Sequence, residues 1–224
     1  MGCHFSSLLR DFDTNVSKYA YLNHNNFNLN PSPVVVDYGS IRLNGGTVVN
    51  VTRIIKHEDV NWVTGDSDIA LLKTDPMKLD SIHAQKIGLP QQDFGLGVGR
   101  IVNISGFGWT DNYGPYSKNL KYGSAKVLSE KECKEGFPQL TEKQFCAGDF
   151  GLGTTDFCYG DYGGPAANWG ILYGIQSTHK NRYWCGLPKQ PGVYTNVSQF
   201  VDWIKKTITN NSDNNELRKL TSFN

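Results

Sequence analysis

Five cysteines are the residues of this sequence whose chemistry depends most directly on spacing, and they are Cys3, Cys133, Cys146, Cys158 and Cys185. No two of them stand in the Cys-x-x-Cys arrangement that is typical of zinc and redox sites. Cysteines this sparse, in a chain rich in glycine and aromatic residues, are more typical of disulfides formed in an oxidising compartment. We therefore expect disulfides with one thiol left over, and no metal site.

Two other patterns look like functional motifs but lack the partner residues that the chemistry requires. His57 lies in Lys56-His57-Glu58-Asp59, without the second histidine four residues on that a zinc protease helix needs. The alternating glycines of residues 94–99 look like a dinucleotide-binding loop, but no helical pattern follows them. We predict a solvated turn histidine at His57, a turn before a strand at 94–99, and no cofactor.

The composition restricts the classes of partner. The chain of 224 residues carries 22 basic and 21 acidic side chains, with no basic stripe to contact phosphates, so nucleic acid is not an expected partner. No run approaches the roughly 18 apolar residues that a membrane span requires. The first six residues lack the charged and apolar regions of a signal peptide, so the N-terminus itself does not predict secretion.

Short runs of β-branched residues, separated by turn residues, predict that strands make up most of the regular secondary structure. The runs cover residues 34–36, 47–51, 53–55, 69–72 and 100–104. Their spacing, interrupted by Gly45-Gly46 and Pro76, is typical of an antiparallel barrel or sandwich.

One helix is predicted, close to the end of the chain, with Ser198 as a candidate N-cap. Its apolar positions at helical spacing are Val197, Phe200, Val201, Ile204 and Ile208. These patterns divide the chain into an uncertain, loop-rich segment at 1–33, a folded domain at 34–208 and a polar tail at 209–224.

Four segments, in this order, carry the most specific pattern: Asp66-Ser67-Asp68-Ile69-Ala70-Leu71-Leu72, Val102-Asn103-Ile104-Ser105-Gly106-Phe107-Gly108, Asp156-Phe157-Cys158-Tyr159-Gly160-Asp161-Tyr162-Gly163-Gly164-Pro165 and Pro191-Gly192-Val193-Tyr194-Thr195. They resemble the trypsin-like serine proteases, family S1, and above all the mite group 3 trypsin-like allergens. The inactivated serine protease paralogues of scabies mites are similar in having degenerate catalytic residues. The resemblance implies an all-β fold, a trypsin-like double antiparallel β-barrel with a C-terminal α-helix, in which the first barrel is incomplete at its N-terminus.

The resemblance also implies where the catalytic residues would lie, and that the set is degenerate. Asp68 matches the aspartate that orients the catalytic histidine, whereas Tyr162 stands in the place of the nucleophilic serine. A phenol has a pKa near about 10 and holds its oxygen at the far end of a rigid ring, so it does not reach the attack position. No segment matches that of the histidine; Tyr21 falls near its place, with His24 as a neighbour.

Two further positions of the resemblance concern activation. Asp161 matches the aspartate that pairs with the N-terminal ammonium created by activation cleavage, and Gly160 matches an oxyanion-hole amide. The Ile-Val-Gly-Gly sequence that this cleavage exposes does not occur here. We expect burial of Asp161 to cost several kcal/mol unless it is protonated or finds donors, in a loosely held, zymogen-like loop.

The specificity pocket is only partly preserved in the resemblance. Asp156 matches the acidic floor that selects arginine or lysine, but the adjoining Phe157 is large where trypsins usually carry serine. The opposite wall, residues 177–185, is about three residues longer than in the family, where it pairs with an extended substrate. We expect this wall to fill or cap the cleft, and hypothesise that Arg182 pairs with Asp156.

The cysteines fit the same resemblance. Cys133 with Cys146, and Cys158 with Cys185, match two family disulfides, each of which closes a loop and stabilises the fold by a few kcal/mol. Cys3 then remains unpaired.

Five tripeptides fit the Asn-x-Ser/Thr acceptor of N-linked glycans, and they begin at Asn15, Asn50, Asn103, Asn196 and Asn210. Because Asn103 and Asn196 lie in predicted core elements, we expect most of these matches to be due to chance.

The function that the resemblance implies is that of a secreted, catalytically inactive serine protease homologue that acts by binding protein partners. Host proteases and complement components are the partners it implies. Two alternatives stay open: a serine-type endopeptidase with trypsin-like specificity, and a gene fragment that does not fold.

Overall fold

The regular elements follow the alternation of buried and exposed side chains along short apolar runs. The computed structural model describes residues 3–4, 34–80, 82–111, 113–149, 155–179 and 185–211, with backbone only at 3–4. Its strands are β1 (Cys3–His4), β2 (Val35–Tyr38), β3 (Thr47–Lys56), β4 (Ala70–Thr74), β5 (Ile101–Gly106), β6 (Lys121–Val127), β7 (Gln144–Gly148), β8 (Pro165–Asn168), β9 (Ile171–Thr178) and β10 (Gly192–Asn196). Its helices are α1 (Glu130–Gly136), a 3-10 turn (Val197–Phe200) and α2 (Val201–Asn211).

The strands form two sheets. Strands β1 to β4 lie in sequence order in the first sheet, and strands β5 to β10 close into a barrel in the order β10-β7-β6-β5-β8-β9. All pairings in the barrel are antiparallel. The prediction of an all-β, trypsin-like architecture with a C-terminal helix is therefore confirmed. One pairing departs from an antiparallel pattern, because β1 lies parallel to β2 through Cys3 and Val36.

The barrel core arises from strands that bury only one face. In β5, Val102 and Ile104 are buried, whereas the alternate residues Ile101 and Asn103 are exposed. Asn103 does lie in a strand that contributes to the core, but period-two alternation turns its own side chain to the outer face. The outer face of the barrel is thus polar at this position.

The predicted C-terminal helix is present, but its first turn is tighter than an α-helix. It begins as the 3-10 turn and becomes α2 at Val201, with Ser198 inside the turn instead of capping it. The Ser198 hydroxyl donates to Asn196 Oδ1 at 2.9 Å. Helix α2 continues to Asn211, whose Oδ1 accepts from Arg53 Nη1 at 2.6 Å, so the helix enters the segment predicted as a tail.

Helix α1 is not predicted above, although its sequence carries a local signal. Ser129 and Glu132 form a reciprocal capping box, in which each side chain bonds to the other residue's backbone N–H. No helix among the described residues is both long and apolar enough to cross a membrane.

His57 is packed between aromatic rings, so the prediction of a solvated turn histidine is wrong. Its ring centroid lies 4.8 Å from that of Trp203 and 5.2 Å from that of Phe200, and the residue is 8% exposed. Burial lowers the pKa of His57 below its usual 6.5, against the opposing charge of Glu58. His57, which directly follows β3, therefore packs α2 against the first sheet.

Candidate active site

Asp68 is fixed by hydroxyl groups of the barrel although it directly precedes the first-sheet strand β4. Its carboxylate Oδ2 accepts from Ser177 Oγ of β9 at 2.6 Å, and its carbonyl accepts from Thr195 Oγ1 of β10 at 2.8 Å. Asp68 is only 5% exposed. These bonds join the two sheets and hold the carboxylate at the position that the resemblance assigns to the orienting aspartate.

The side chain of Tyr162 packs into the barrel core. Its ring centroid lies 5.8 Å from that of Phe157 and 6.0 Å from that of His179, both in edge-to-face geometry. The phenol oxygen has no access to solvent. A nucleophile must present its oxygen to the substrate carbonyl, so this phenol is not placed for attack.

Three histidine side chains are described, and none of them contacts Asp68. They lie elsewhere: His57 against Trp203, His83 with Nδ1 2.7 Å from Asp80 Oδ2, and His179 beside Asp156. Tyr21 and His24, the positions predicted near the missing catalytic histidine, lie outside the described residues.

Asp156 lies in a buried cluster of hydrogen-bonded polar groups. Its Oδ2 lies 3.0 Å from His179 Nε2 and accepts from the Gly186 N–H at 3.2 Å, while Oδ1 accepts from the Phe157 N–H at 2.9 Å. The side chains of His179 and Asp156 are 2% and 3% exposed. Both carboxylate oxygens are thus occupied by groups of the same chain.

Three rings pack against one another next to this carboxylate, and we call Phe157, Tyr162 and His179 the plug. The centroids of Phe157 and His179 are only 4.0 Å apart. Phe157 is 2% exposed, and a Cβ built on Gly192 would lie 2.5 Å from its ring. The three rings of the plug are therefore in mutual contact beside the Asp156–His179 pair.

His179 is the described side-chain partner of Asp156, and the sequence alone did not indicate it. Arg182, the hypothesised partner, lies outside the described residues. Ser177 of β9 bonds to Asp68, and His179, two residues further along the chain, bonds to Asp156. Because side chains two residues apart in an extended chain lie on the same side, the spacing from Ser177 to His179 is the signal that could have identified His179 as a site residue.

Asp161 is buried but finds two backbone donors. Its Oδ1 accepts from the Gly108 N–H at 2.6 Å and its Oδ2 from the Cys158 N–H at 2.9 Å. Burial raises the pKa of this carboxyl above its usual 3.8, and the two amides oppose that rise. A third bond, from the Asp161 N–H to the Cys158 carbonyl at 2.9 Å, closes the turn around Gly160. Three hydrogen bonds thus hold the turn around Gly160, and the loosely held, zymogen-like loop stays a prediction.

Two disulfides hold the edges of the site. Cys133 is joined to Cys146, and Cys158 to Cys185, with Cα atoms 5.7 Å and 5.4 Å apart. The second disulfide connects the strand-free segment of Asp156 to the wall that carries His179. The side chain of Cys3 lies outside what the structure describes.

A group of aromatic rings surrounds the turn at Gly160, and we call Trp109, Tyr113, Tyr116 and Tyr159 the rim. Trp109 lies 4.8 Å from Tyr159 and 6.2 Å from Tyr113 between ring centroids. Tyr113 and Tyr116 are 64% and 51% exposed. The rim continues into the plug, because Tyr159 lies 6.4 Å from Tyr162.

The architecture is that of the trypsin-like serine protease folds: a closed antiparallel barrel, a second sheet and a C-terminal helix. Sequence comparison gives the same class. A profile described as Trypsin matches residues 25–204. The chain therefore belongs to the trypsin family.

Individual relatives are similar over most of this chain. Trypsin Tyr p 3.0101 of Tyrophagus putrescentiae is 37% identical over 182 residues, 79% of this chain and 62% of that protein. Trypsin Blo t 3 of Blomia tropicalis is 36% identical, over 79% of this chain and 68% of its own length. Trypsin-3 of Homo sapiens is 38% identical, over 73% of this chain and 53% of its own length. The chain thus spans between about half and two thirds of these relatives.

Proposed function

We propose that this protein is a catalytically inactive trypsin-like serine protease homologue that acts by binding other proteins. The observation that carries the proposal is the plug, in which the ring at the nucleophile position is turned into the barrel with its oxygen away from solvent. Serine proteases require a hydroxyl that an adjacent histidine can deprotonate. Loss of the serine or the histidine alone lowers kcat by about a millionfold in a convergent protease.

The closed pocket supports the same conclusion independently of the nucleophile. A basic substrate side chain would have to displace His179 from Asp156 and separate rings whose centroids lie 4.0 Å apart. Burial of its charge would cost hydration energy, and only the Asp156 carboxylate could offset that cost. This carboxylate already accepts three hydrogen bonds. Ground-state binding of a trypsin substrate is therefore disfavoured as well.

The rim supports a binding role. Exposed aromatic rings grouped on one surface are typical of protein interfaces, where tyrosine and tryptophan contribute most of the binding energy. We propose that the protein is secreted and that its partners are host proteins of the protease and complement systems. Rim contacts with such a partner would leave the plug undisturbed.

A second candidate function, a serine endopeptidase with trypsin-like specificity, has one observation in its favour. The hydrogen bond between Ser177 and Asp68 retains an oriented carboxylate at the junction of the sheets. This carboxylate alone supplies neither a nucleophile nor an open pocket, so we regard the inactive homologue as the better-supported function.

The two candidates are distinguished by labelling with a fluorophosphonate probe and by hydrolysis of arginine and lysine esters, with an active trypsin as the positive control. We expect neither labelling nor hydrolysis from the purified, folded protein. Hydrolysis that disappears in Tyr162→Ala would establish the endopeptidase instead.

Binding is tested by measuring the affinity of immobilised protein for trypsin-like proteases and complement proteases of a host. We expect Tyr113→Ser with Tyr116→Ser to weaken the complex at least tenfold, because truncation of interface tyrosines removes hot-spot energy. Tyr122→Ser is the matched control, since this tyrosine is 87% exposed but lies outside the rim. Equal losses in both variants would contradict a role of the rim.

A further inference from the structure

The three acceptor tripeptides that lie wholly within the described residues differ in how their asparagines are held. Asn50 and Asn103 are exposed positions of strands, whereas Asn196 is partly buried where β10 meets the 3-10 turn. Oligosaccharide transfer precedes folding, so the folded structure decides which glycosylated asparagines can be accommodated. The contacts of each side-chain amide therefore discriminate among the three.

Asn103 leaves its side-chain nitrogen directed to solvent. Its Oδ1 accepts from Ser124 Oγ on the neighbouring strand β6 at 2.9 Å, which fixes the orientation of the amide. Among the described residues, Asn103 Nδ2 has no hydrogen-bond partner. A glycan on this nitrogen would extend from the outer face of the barrel without breaking a bond.

Asn50 offers similar access on the first sheet. It is exposed on β3, as is Thr52 two residues further along the same face. Its Nδ2 donates to Asp75 Oδ2 at 2.9 Å, and both groups are exposed. A glycosylated amide nitrogen retains one hydrogen, so this bond can persist after modification.

Asn196 is held at both ends of its amide. Its Nδ2 donates to the Glu142 carbonyl at 3.2 Å, and its Oδ1 accepts from Ser198 Oγ at 2.9 Å. Ser198 is 2% exposed and the intervening Val197 is fully buried. Unlike Asn50 and Asn103, Asn196 is partly buried and has both atoms of its amide hydrogen-bonded, which restricts the side-chain rotamers that could direct a glycan to solvent.

We propose that Asn50 and Asn103 are N-glycosylation sites of this protein and that Asn196 is not. In the transfer, the asparagine nitrogen bonds to the anomeric carbon of a lipid-pyrophosphate-linked oligosaccharide, the bond from that carbon to the pyrophosphate oxygen breaks, and the amide loses one proton. The proposal rests on the secretory passage contained in the proposed function, but not on catalytic inactivity.

The test is expression of the full chain behind an added secretion signal in insect cells, so that entry into the pathway does not depend on the native N-terminus. The secreted, folded protein is treated with peptide N-glycosidase, which converts each glycosylated asparagine to aspartate, and the conversions are located by peptide mass spectrometry. We expect conversion at positions 50 and 103.

Single variants provide the controls. Asn50→Gln and Asn103→Gln should each remove one glycan step in gel mobility, and Asn196→Gln should remove none. An unmodified Asn50 or Asn103 in the secreted protein, or a glycan on Asn196, would overturn the proposal. Esterase activity measured on the same preparation tests the inactive-homologue proposal separately, so the two can fail independently.

Discussion

His179 Nε2 lies 3.0 Å from Asp156 Oδ2, and both side chains are almost completely buried. The carboxylate that matches the specificity floor of trypsins is thus paired within its own chain. Because Phe157 and Tyr162 pack around the same imidazole, the pair is part of the barrel core.

Removal of the imidazole should destabilise the fold. His179→Ala leaves Asp156 buried with only two backbone donors, and loss of one partner of a buried pair costs about 3 kcal/mol. We expect urea unfolding to show a decrease of this size in the free energy of unfolding. In a double-mutant cycle, Asp156→Asn should make the His179→Ala cost smaller; equal costs in both backgrounds would mean that the two side chains are not coupled.

A serine at the nucleophile position should not restore catalysis. Tyr162→Ser supplies a hydroxyl but leaves Phe157 and His179 in the pocket, so we expect no hydrolysis of arginine or lysine esters. The lost ring should also lower the free energy of unfolding by about 3 kcal/mol, as for other large-to-small changes in a core. Detectable turnover in this variant would show that the remaining rings do not close the pocket.

The buried carboxyl of Asp161 should give stability a defined pH dependence. Burial raises its pKa in the folded state above 3.8, so the folded chain holds this proton more tightly than the unfolded chain does. Its contribution is fully present below pH 3.8 and is lost as the pH rises through the folded-state pKa. Relative to Asp161→Asn, the native chain should therefore lose stability with rising pH across the acid range, which urea unfolding at a series of pH values measures. If the native chain instead gained stability relative to Asp161→Asn as the pH rises, the prediction would be contradicted.

Tyr194 carries a hydroxyl that is buried without a hydrogen-bond partner among the described residues. Its ring stacks on Phe145 at 5.2 Å between centroids, and that contact does not require the oxygen. Because an unsatisfied buried polar group costs about 1 to 3 kcal/mol, Tyr194→Phe should unfold at a higher urea concentration than the native chain. Tyr194→Leu is the control that removes the stacking; a loss of stability in Tyr194→Phe would reveal a partner for the hydroxyl.

Much of the fold was predictable because its strands obey local rules. The run at 100–104 became β5, since β-branched residues favour extended backbone and the barrel buries one of its faces. The same alternation exposes Asn103 within this core strand, because a strand in the barrel wall buries only one of its faces.

The plug depends on contacts that local sequence does not determine. His179 and Asp156 are 23 residues apart, and the barrel closure brings them together. His57 was mispredicted for the same reason, because Trp203 of α2 covers it only after the helix docks. In contrast, the motif at residues 156–165 indicated the place of Tyr162 in the sequence. The inward direction of its side chain depends on its packing against Phe157 and His179.

The central claim is that the chain's own rings occupy the pocket above Asp156, and a titration with the fluorescent pocket ligand p-aminobenzamidine tests it most directly. The native protein should give no saturable fluorescence change, whereas an active trypsin under the same conditions should. Saturable binding to the native protein that benzamidine displaces and Asp156→Asn abolishes would contradict the claim.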